Sequence, residues 1–238
     1  MSSFSFPVCS HHLHAAIRKP RSLEVNLQRK PRFLCLHGFR TSGEILKKQL
    51  GKWPMSVLDQ LDLQFLDAPF PAQGSSDVER FFDPPYFEWF QFSADFTEYR
   101  NLEECLLFIE DYMLNHEPFD GLLGFSQGAM LSAVLQGLQA TGAGLTKVPK
   151  IKFVIIVSGA KFNQFLPHKA FSTSIGCPSL HFLGERDPMK PHGVKLLESF
   201  IDPLVIYHSK GHIVPTLDHE AVKIMQTFIH VISNTFNV

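Results

Sequence analysis

The chain has 238 residues, of which 45% are hydrophobic and 19% are charged, a balance typical of a folded protein with one sizeable core. Its formal net charge of −1 excludes the strong positive field with which proteins attract nucleic acid or an anionic membrane surface. The four cysteines form no C-x-x-C pair, and no apolar run approaches membrane-spanning length. We therefore expect no nucleic-acid partner, no stable membrane insertion and a reducing compartment.

The first 30 residues differ in composition from the rest. They are rich in serine, histidine and basic residues, and Glu24 is their only acid. This bias is compatible with a flexible leader on a cytoplasmic protein and also with a transit peptide for the chloroplast or mitochondrion. Three histidines near Cys9 lack a second ligand pair at a defined spacing, so we predict no metal site. In both interpretations the folded domain is expected over 31–238.

From residue 31 onward, strand-like runs alternate with helical patterns, which predicts an α/β fold with a mainly parallel central sheet. Because the strands are apolar throughout rather than alternating, we expect helices on both faces of the sheet. Thr216 is placed to cap the last helix. The predicted strands are 32–37, 63–66, 119–123, 151–157, 179–183 and 204–207, and the predicted helices are 43–61 (interrupted near Pro54), 98–115, 129–135, 192–200 and 217–232.

Residues 67–97 interrupt this alternation with proline, glycine and many aromatic side chains. Binding sites are lined mostly by hydrophobic and aromatic groups, so one interpretation is a lid or one wall of a substrate pocket. The other is a small satellite core beneath a long loop. On the first interpretation, Phe87, Trp89 and Phe90 are predicted to contact the substrate.

A G-x-S-x-G motif at 124–128 lies between a predicted strand and a predicted helix. On such a turn the side chain of Ser126 stands at the edge of the sheet, and the flanking glycines let strand and helix approach closely. The helix N-terminus directs free N–H groups at negative charge developing beside the serine. This is the arrangement of a hydrolase nucleophile. A serine that merely caps an ordinary helix is the alternative.

A nucleophilic serine requires a base and an acid. Asp187 and His212 each follow a later strand, in the order Ser, Asp, His that is expected when this turn lies on such a sheet. Ligands gather at the carboxyl ends of parallel strands, where both residues are predicted to lie. Glu185 is the alternative acid and His208 the alternative base.

Stabilising the oxyanion of acyl transfer requires two hydrogen-bond donors. The backbone N–H of Gln127 is one candidate. The other is the backbone N–H of Phe39, in the loop after the first strand, where Gly38 permits close approach. His37 ends that strand, so we expect it to brace the loop rather than to act as the base.

Taken in order, these motifs resemble those of the FSH family of serine hydrolases. The resemblance covers residue 31 to the C-terminus and implies an α/β-hydrolase fold, a Ser126–Asp187–His212 triad and carboxylesterase or thioesterase activity. It is carried by 33–40, 67–69, 124–128, 184–187 and 211–212.

The leading hypothesis is a cofactor-free serine hydrolase that cleaves a small-molecule ester or thioester of an apolar acyl group through an acyl-enzyme. A small-molecule receptor on a hydrolase fold is the alternative, because such a protein can keep all three triad residues. No G-x-G-x-x-G motif follows the first strand, which argues against nucleotide-dependent reductase chemistry.

Overall fold

The computed structural model describes residues 29–93, 98–116, 118–161 and 168–235. The leader predicted over 1–30 lies outside these ranges except for its last two residues, so both interpretations of it stay predictions.

Helices and strands alternate along the described chain much as expected. The strands are β1 (Arg32–Leu36), β2 (Asp62–Leu66), β3 (Phe70–Pro71), β4 (Phe87–Glu88), β5 (Gln91–Phe92), β6 (Tyr99–Arg100), β7 (Gly121–Phe125), β8 (Phe153–Val157), β9 (Ser179–Gly184) and β10 (Leu204–His208). The helices are α1 (Gly43–Leu50), α2 (Met55–Leu58), α3 (Leu102–Asn115), α4 (Gln127–Ala140), α5 (Lys190–Leu197) and α6 (His219–Thr235).

Six of these strands form the central sheet, in the order β10-β9-β8-β7-β1-β2. Every neighbouring pair in it is parallel, which confirms the predicted α/β fold. The chain passes from β1 to β2 on one side and later returns to β7 on the other. Parallel sheets bind their ligands at such a reversal of strand order, outside the carboxyl ends of the strands. The cleft between the ends of β1 and β7 is therefore where a site is expected.

Both faces of the sheet are covered by helices, as the continuous apolar strands predicted. In β1, Leu34 and Leu36 belong to one core cluster, while Phe33 and Cys35 belong to the other. Successive side chains of a strand point to opposite faces, so a strand buried on both faces is apolar at every position. The first cluster includes side chains of α3, α4 and α5, and the second includes side chains of α1, α2 and α6. No described helix combines the length and the apolar character needed to cross a membrane.

Two local predictions are corrected. Thr216 does not cap the last helix, which begins later, at His219; the Asp218 carboxylate instead accepts a hydrogen bond from the backbone N–H of Ala221 at 2.9 Å. The aromatic segment also contains regular structure that its composition concealed. Within it, β3 pairs with β4, and β5 pairs with β6, which lies just beyond the segment; both pairs are antiparallel.

Candidate active site

Ser126 occupies a strained turn between β7 and α4, with φ 53° and ψ −114°. Residues with a side chain rarely adopt this region, and such strain concentrates at functional sites. The turn also requires glycine on both sides. A Cβ atom on Gly124 would lie 2.3 Å from the carbonyl oxygen of Gly128, and one on Gly128 would lie 2.1 Å from that of Leu36. The serine side chain caps nothing, so the helix-cap interpretation is wrong.

The hydroxyl of Ser126 is instead hydrogen-bonded to an imidazole. Ser126 Oγ lies 2.7 Å from His212 Nε2, and His212 Nδ1 lies 2.8 Å from Asp187 Oδ2. The second oxygen of Asp187 accepts the Met189 N–H at 2.8 Å, which fixes the carboxylate in its turn. Because the carboxylate can only accept, the imidazole proton lies on Nδ1, and Nε2 is left to accept from the serine. The structure therefore brings together the three residues that the motif order selected.

The alternative acid and base lie elsewhere. Glu185 is exposed and forms an ion pair with Lys190 at 2.6 Å. The ring nitrogens of His208 are buried and hydrogen-bond to none of the described residues, Ser126 included. Neither residue takes part in the hydrogen-bonded relay.

The two backbone donors predicted for the oxyanion border the same cavity as Ser126. Gln127 is the first residue of α4, so its N–H has no acceptor within the helix. In the part of the chain that the structure describes, neither this N–H nor that of Phe39 has a hydrogen-bond partner. The loop carrying Phe39 packs on the nucleophile turn, since a Cβ atom on Gly38 would lie 3.6 Å from Ser126 Cβ. Both N–H groups are thus available to an oxyanion.

His37 is fully buried and braces the loops after β1 and β2. Its Nε2 accepts the backbone N–H of Ala68 at 3.0 Å, and its Nδ1 donates to the carbonyl of Gly38 at 2.8 Å. Burial lowers the pKa of His37 to about 4, so the ring is neutral near pH 7. A ring with both nitrogens occupied in this way is not free to act as the base.

A cavity of about 790 Å³ opens above Ser126. This volume suits a small organic molecule, and most of its lining is apolar. Thr41, Gln49, Lys52 and Asp77 contribute polar groups to the wall. The apolar lining comprises Phe39, Val78, Phe81, Phe82, Phe92, Tyr99, Phe125, Met130, Met189, Ile213 and Val214, among others.

Phe87, Trp89 and Phe90, which were predicted to contact the substrate, do not line this cavity. Trp89 and Phe90 are buried at 0% and 1% exposure in the core cluster on one face of the sheet, and Phe87 packs against it. Both interpretations of the aromatic segment thus hold for different residues. Asp77, Val78, Phe81, Phe82 and Phe92 line the cavity, whereas Trp89 and Phe90 belong to the core.

Three polar features near the site were not predicted. Glu88 is completely buried within the aromatic run, and Arg40 forms an ion pair with it at 2.8 Å. The side chain of Gln127, predicted only as a backbone donor, is buried and hydrogen-bonds to the backbone of that run. In the sequence, the signal that could have indicated this network was an acidic residue, Glu88, between aromatic residues. Among the described residues, no cluster of three or more histidine, cysteine or acidic side chains is placed to hold a metal ion.

Comparison with known proteins identifies relatives over most of the chain. The family model described as serine hydrolase (FSH1) matches residues 27–224. Human esterase OVCA2 is 33% identical over an alignment of 216 residues, and the match covers 79% of this chain and 91% of that protein. Esterase AAEL000016 of Aedes aegypti is 30% identical over 204 residues, covering 80% of this chain and 72% of that protein.

Among solved structures, acyl-protein thioesterase 2 of Zea mays superposes with a TM-score of 0.56 at 18% identity. The match covers 87% of this chain and 94% of that one. At this identity the likeness demonstrates a shared α/β-hydrolase fold.

Proposed function

Because the chain belongs to the serine hydrolase (FSH1) family and is therefore a hydrolase, we propose that it cleaves carboxylic esters or thioesters of apolar acyl groups through an acyl-enzyme. The observation that carries this proposal is the relay from Ser126 through His212 to Asp187 at an apolar cavity. It supports nucleophilic catalysis, because a serine hydrogen-bonded to a neutral, oriented imidazole loses its proton as it attacks.

In the acylation step, Ser126 Oγ bonds to the carbonyl carbon of the substrate while its proton passes to His212 Nε2. The carbonyl oxygen becomes an oxyanion that accepts the backbone N–H groups of Phe39 and Gln127. The bond from carbon to the leaving oxygen or sulfur then breaks, and His212 donates its proton to that atom. An alcohol or thiol leaves, and the acyl group remains on Ser126.

Deacylation repeats the sequence with water as the nucleophile. His212 takes a proton from the water as its oxygen bonds to the acyl carbon, and the same two N–H groups stabilise the oxyanion. The bond to Ser126 Oγ then breaks, the serine regains its proton from His212, and the carboxylic acid departs. The Asp187 carboxylate stabilises the imidazolium that forms in both steps.

A fluorophosphonate probe tests the nucleophile. We expect the folded protein to be labelled at Ser126, and the Ser126→Ala variant to be unlabelled and to lose at least about 1,000-fold in esterase activity. Mass spectrometry of the labelled peptide and a steady-state ester assay provide the two measurements. If the folded protein is not labelled while a control esterase reacts, the proposal is refuted. Tight ligand binding without turnover across an ester panel would favour the receptor hypothesis instead.

The apolar lining predicts the preferred acyl group. We expect p-nitrophenyl octanoate and decanoate to have specificity constants at least about tenfold above that of the acetate, since each buried methylene contributes roughly 0.8 kcal/mol. Initial rates below the critical micelle concentration of each ester measure this. A higher kcat/KM for the acetate would contradict the apolar assignment while leaving the nucleophile in place.

A further inference from the structure

Residues 87–90, Phe87-Glu88-Trp89-Phe90, form a short segment, here named the strap, that touches both sides of the oxyanion site. We propose that the strap positions the two oxyanion donors through the contacts of Glu88 and through the bonds of the strap backbone to Gln127. In this way it controls transition-state stabilisation rather than substrate binding. This inference rests on the proposed function, since it presumes that Phe39 and Gln127 donate to an oxyanion.

The strap holds the loop of Phe39 at two points. The backbone N–H of Phe87 donates to the carbonyl of Thr41 at 2.7 Å, and the indole N–H of Trp89 donates to the carbonyl of His37 at 2.8 Å. The rings of Trp89 and His37 are also in contact, with centroids 5.0 Å apart. These two anchors lie two residues before and two residues after Phe39. The backbone that carries its N–H is therefore tied down on both sides.

Glu88 provides a third attachment. Its Oε1 accepts from the Arg40 guanidinium at 2.8 Å and from the backbone N–H of Gln73 at 3.2 Å, while its Oε2 accepts from the Gln91 amide at 2.9 Å. A fully buried carboxylate is stable when its charge and lone pairs are satisfied in this way. Arg40 directly follows Phe39, has a positive φ of 51° and stacks 4.7 Å from the centroid of the Phe39 ring. The ion pair thus constrains the peptide next to the donor.

The other side of the strap meets the nucleophile turn. The amide oxygen of Gln127 accepts the backbone N–H of Trp89 at 3.2 Å, and its amide nitrogen donates to the carbonyl of Phe90 at 2.7 Å. Gln127 is 2% exposed, and its backbone N–H is the second oxyanion donor. A single four-residue segment therefore bonds to Gln127 and to residues on both sides of Phe39, and through these bonds it sets the separation of the two donors.

Donor separation matters because an oxyanion site works only when both N–H groups lie about 2.7–3.1 Å from the developing charge. A displacement on the order of 1 Å can lower the rate about 100-fold. Phe81 and Phe82, which line the cavity, lie outside the strap, so binding of the acyl group should change little when the strap is loosened. A kcat defect with a nearly constant KM is the expected signature.

Two variants test this, each with a matched control. Glu88→Gln removes the buried charge, and Gln127→Met removes both side-chain bonds while keeping the backbone donor. For each we expect kcat to fall by about 10- to 100-fold with KM changed less than about threefold. Glu110→Gln and Gln136→Met change a buried acid on α3 and another buried glutamine on α4, away from the strap, and should retain kcat.

A trifluoromethyl ketone inhibitor provides the second readout, because its serine adduct carries an oxyanion at the same position. Its affinity should fall in parallel with kcat in the strap variants and remain unchanged in the controls. Melting temperatures identify variants that do not fold; for those, Trp89→Phe, which removes one indole bond, takes their place. Wild-type kcat and inhibitor affinity in folded strap variants would overturn the proposal, as would equal losses in the controls. If Ser126→Ala keeps full activity, the proposed function itself fails.

Discussion

Burial gives the histidines of this chain different chemistry although their side chains are identical. His37 is enclosed between two loops, and His181 lies in β9 with its ring 4.7 Å from that of Phe200. Burial lowers the pKa of His37 to about 4 and that of His181 to about 3. His212 keeps about a third of its side chain exposed between Asp187 and Ser126. Only the last is placed to exchange protons with a ligand.

These two buried rings predict how stability depends on pH. In the unfolded chain each imidazole takes up a proton near pH 6.5, whereas the folded protein resists protonation until about pH 4 for His37 and about pH 3 for His181. The stability that these two buried rings contribute is therefore fully present above pH 6.5, and it is lost as the pH falls from 6.5 towards the pKa of each folded ring. Between pH 6.5 and pH 5 we expect each histidine to lower the free energy of unfolding by about 2 kcal/mol. Urea unfolding across this range measures the slope.

The variant His181→Gln separates this contribution from the titration of carboxylates. Its amide can replace the ring nitrogen that lies 3.2 Å from the Ser179 hydroxyl, but it does not titrate. The fall in the free energy of unfolding between pH 6.5 and pH 5 should become smaller by about 2 kcal/mol. An unchanged slope would mean that protonation of His181 does not contribute to acid destabilisation.

At the level of elements, the start of α6 shows how a single residue sets a boundary. The pattern placed the cap at Thr216, yet that side chain is exposed and the helix starts three residues later. Asp218 accepts the N–H of Ala221, which satisfies one of the unpaired donors of the first turn and places a negative charge at the positive end of the helix dipole.

Substitution at the two positions should distinguish them. Asp218→Ala is expected to lower the free energy of unfolding by about 1 kcal/mol, because it removes the capping acceptor. Thr216→Ala is the matched control and should change it by less than about 0.5 kcal/mol. Chemical denaturation at neutral pH measures both values. Equal effects of the two substitutions would contradict the assignment of Asp218 as the capping residue.

In the aromatic segment, the sequence pattern could not predict the strands at all. Its ribbons have strands of two residues, too short for a period of two to be visible in the sequence. Trp89 and Phe90 lie between β4 and β5, outside both ribbons, yet both belong to the core. No strand period could therefore show which face of the segment they pack against.

At the scale of the whole molecule, the candidate active site and a buried ion pair lie at opposite ends of the parallel strands. The residues of the relay and the two proposed oxyanion donors all follow the carboxyl ends of strands of the central sheet. At the opposite end, the buried Asp120 just before β7 accepts two bonds from the Arg29 guanidinium at 2.6 and 2.8 Å. It also accepts the backbone N–H of Arg32 at 2.9 Å.

The fold class, the order of the central strands and helices, and the residues of the relay could all be predicted from the sequence alone. Each depends on local information: continuous apolar runs, glycines on both sides of Ser126, and the order in which Asp187 and His212 follow later strands. Local backbone sterics and burial set these features, so they leave a readable pattern.

Only the tertiary structure decided what the aromatic segment does. It placed Trp89 and Phe90 in the core, left Phe81 and Phe82 to line the cavity, and enclosed Glu88 with Arg40 from a distant loop. Contacts between residues 48 positions apart depend on how loops pack across the sheet, and no local period records that packing. The sequence by itself determined which residues form the hydrogen-bonded relay, whereas the packing of the loops determined which residues hold the relay in position and which line the cavity.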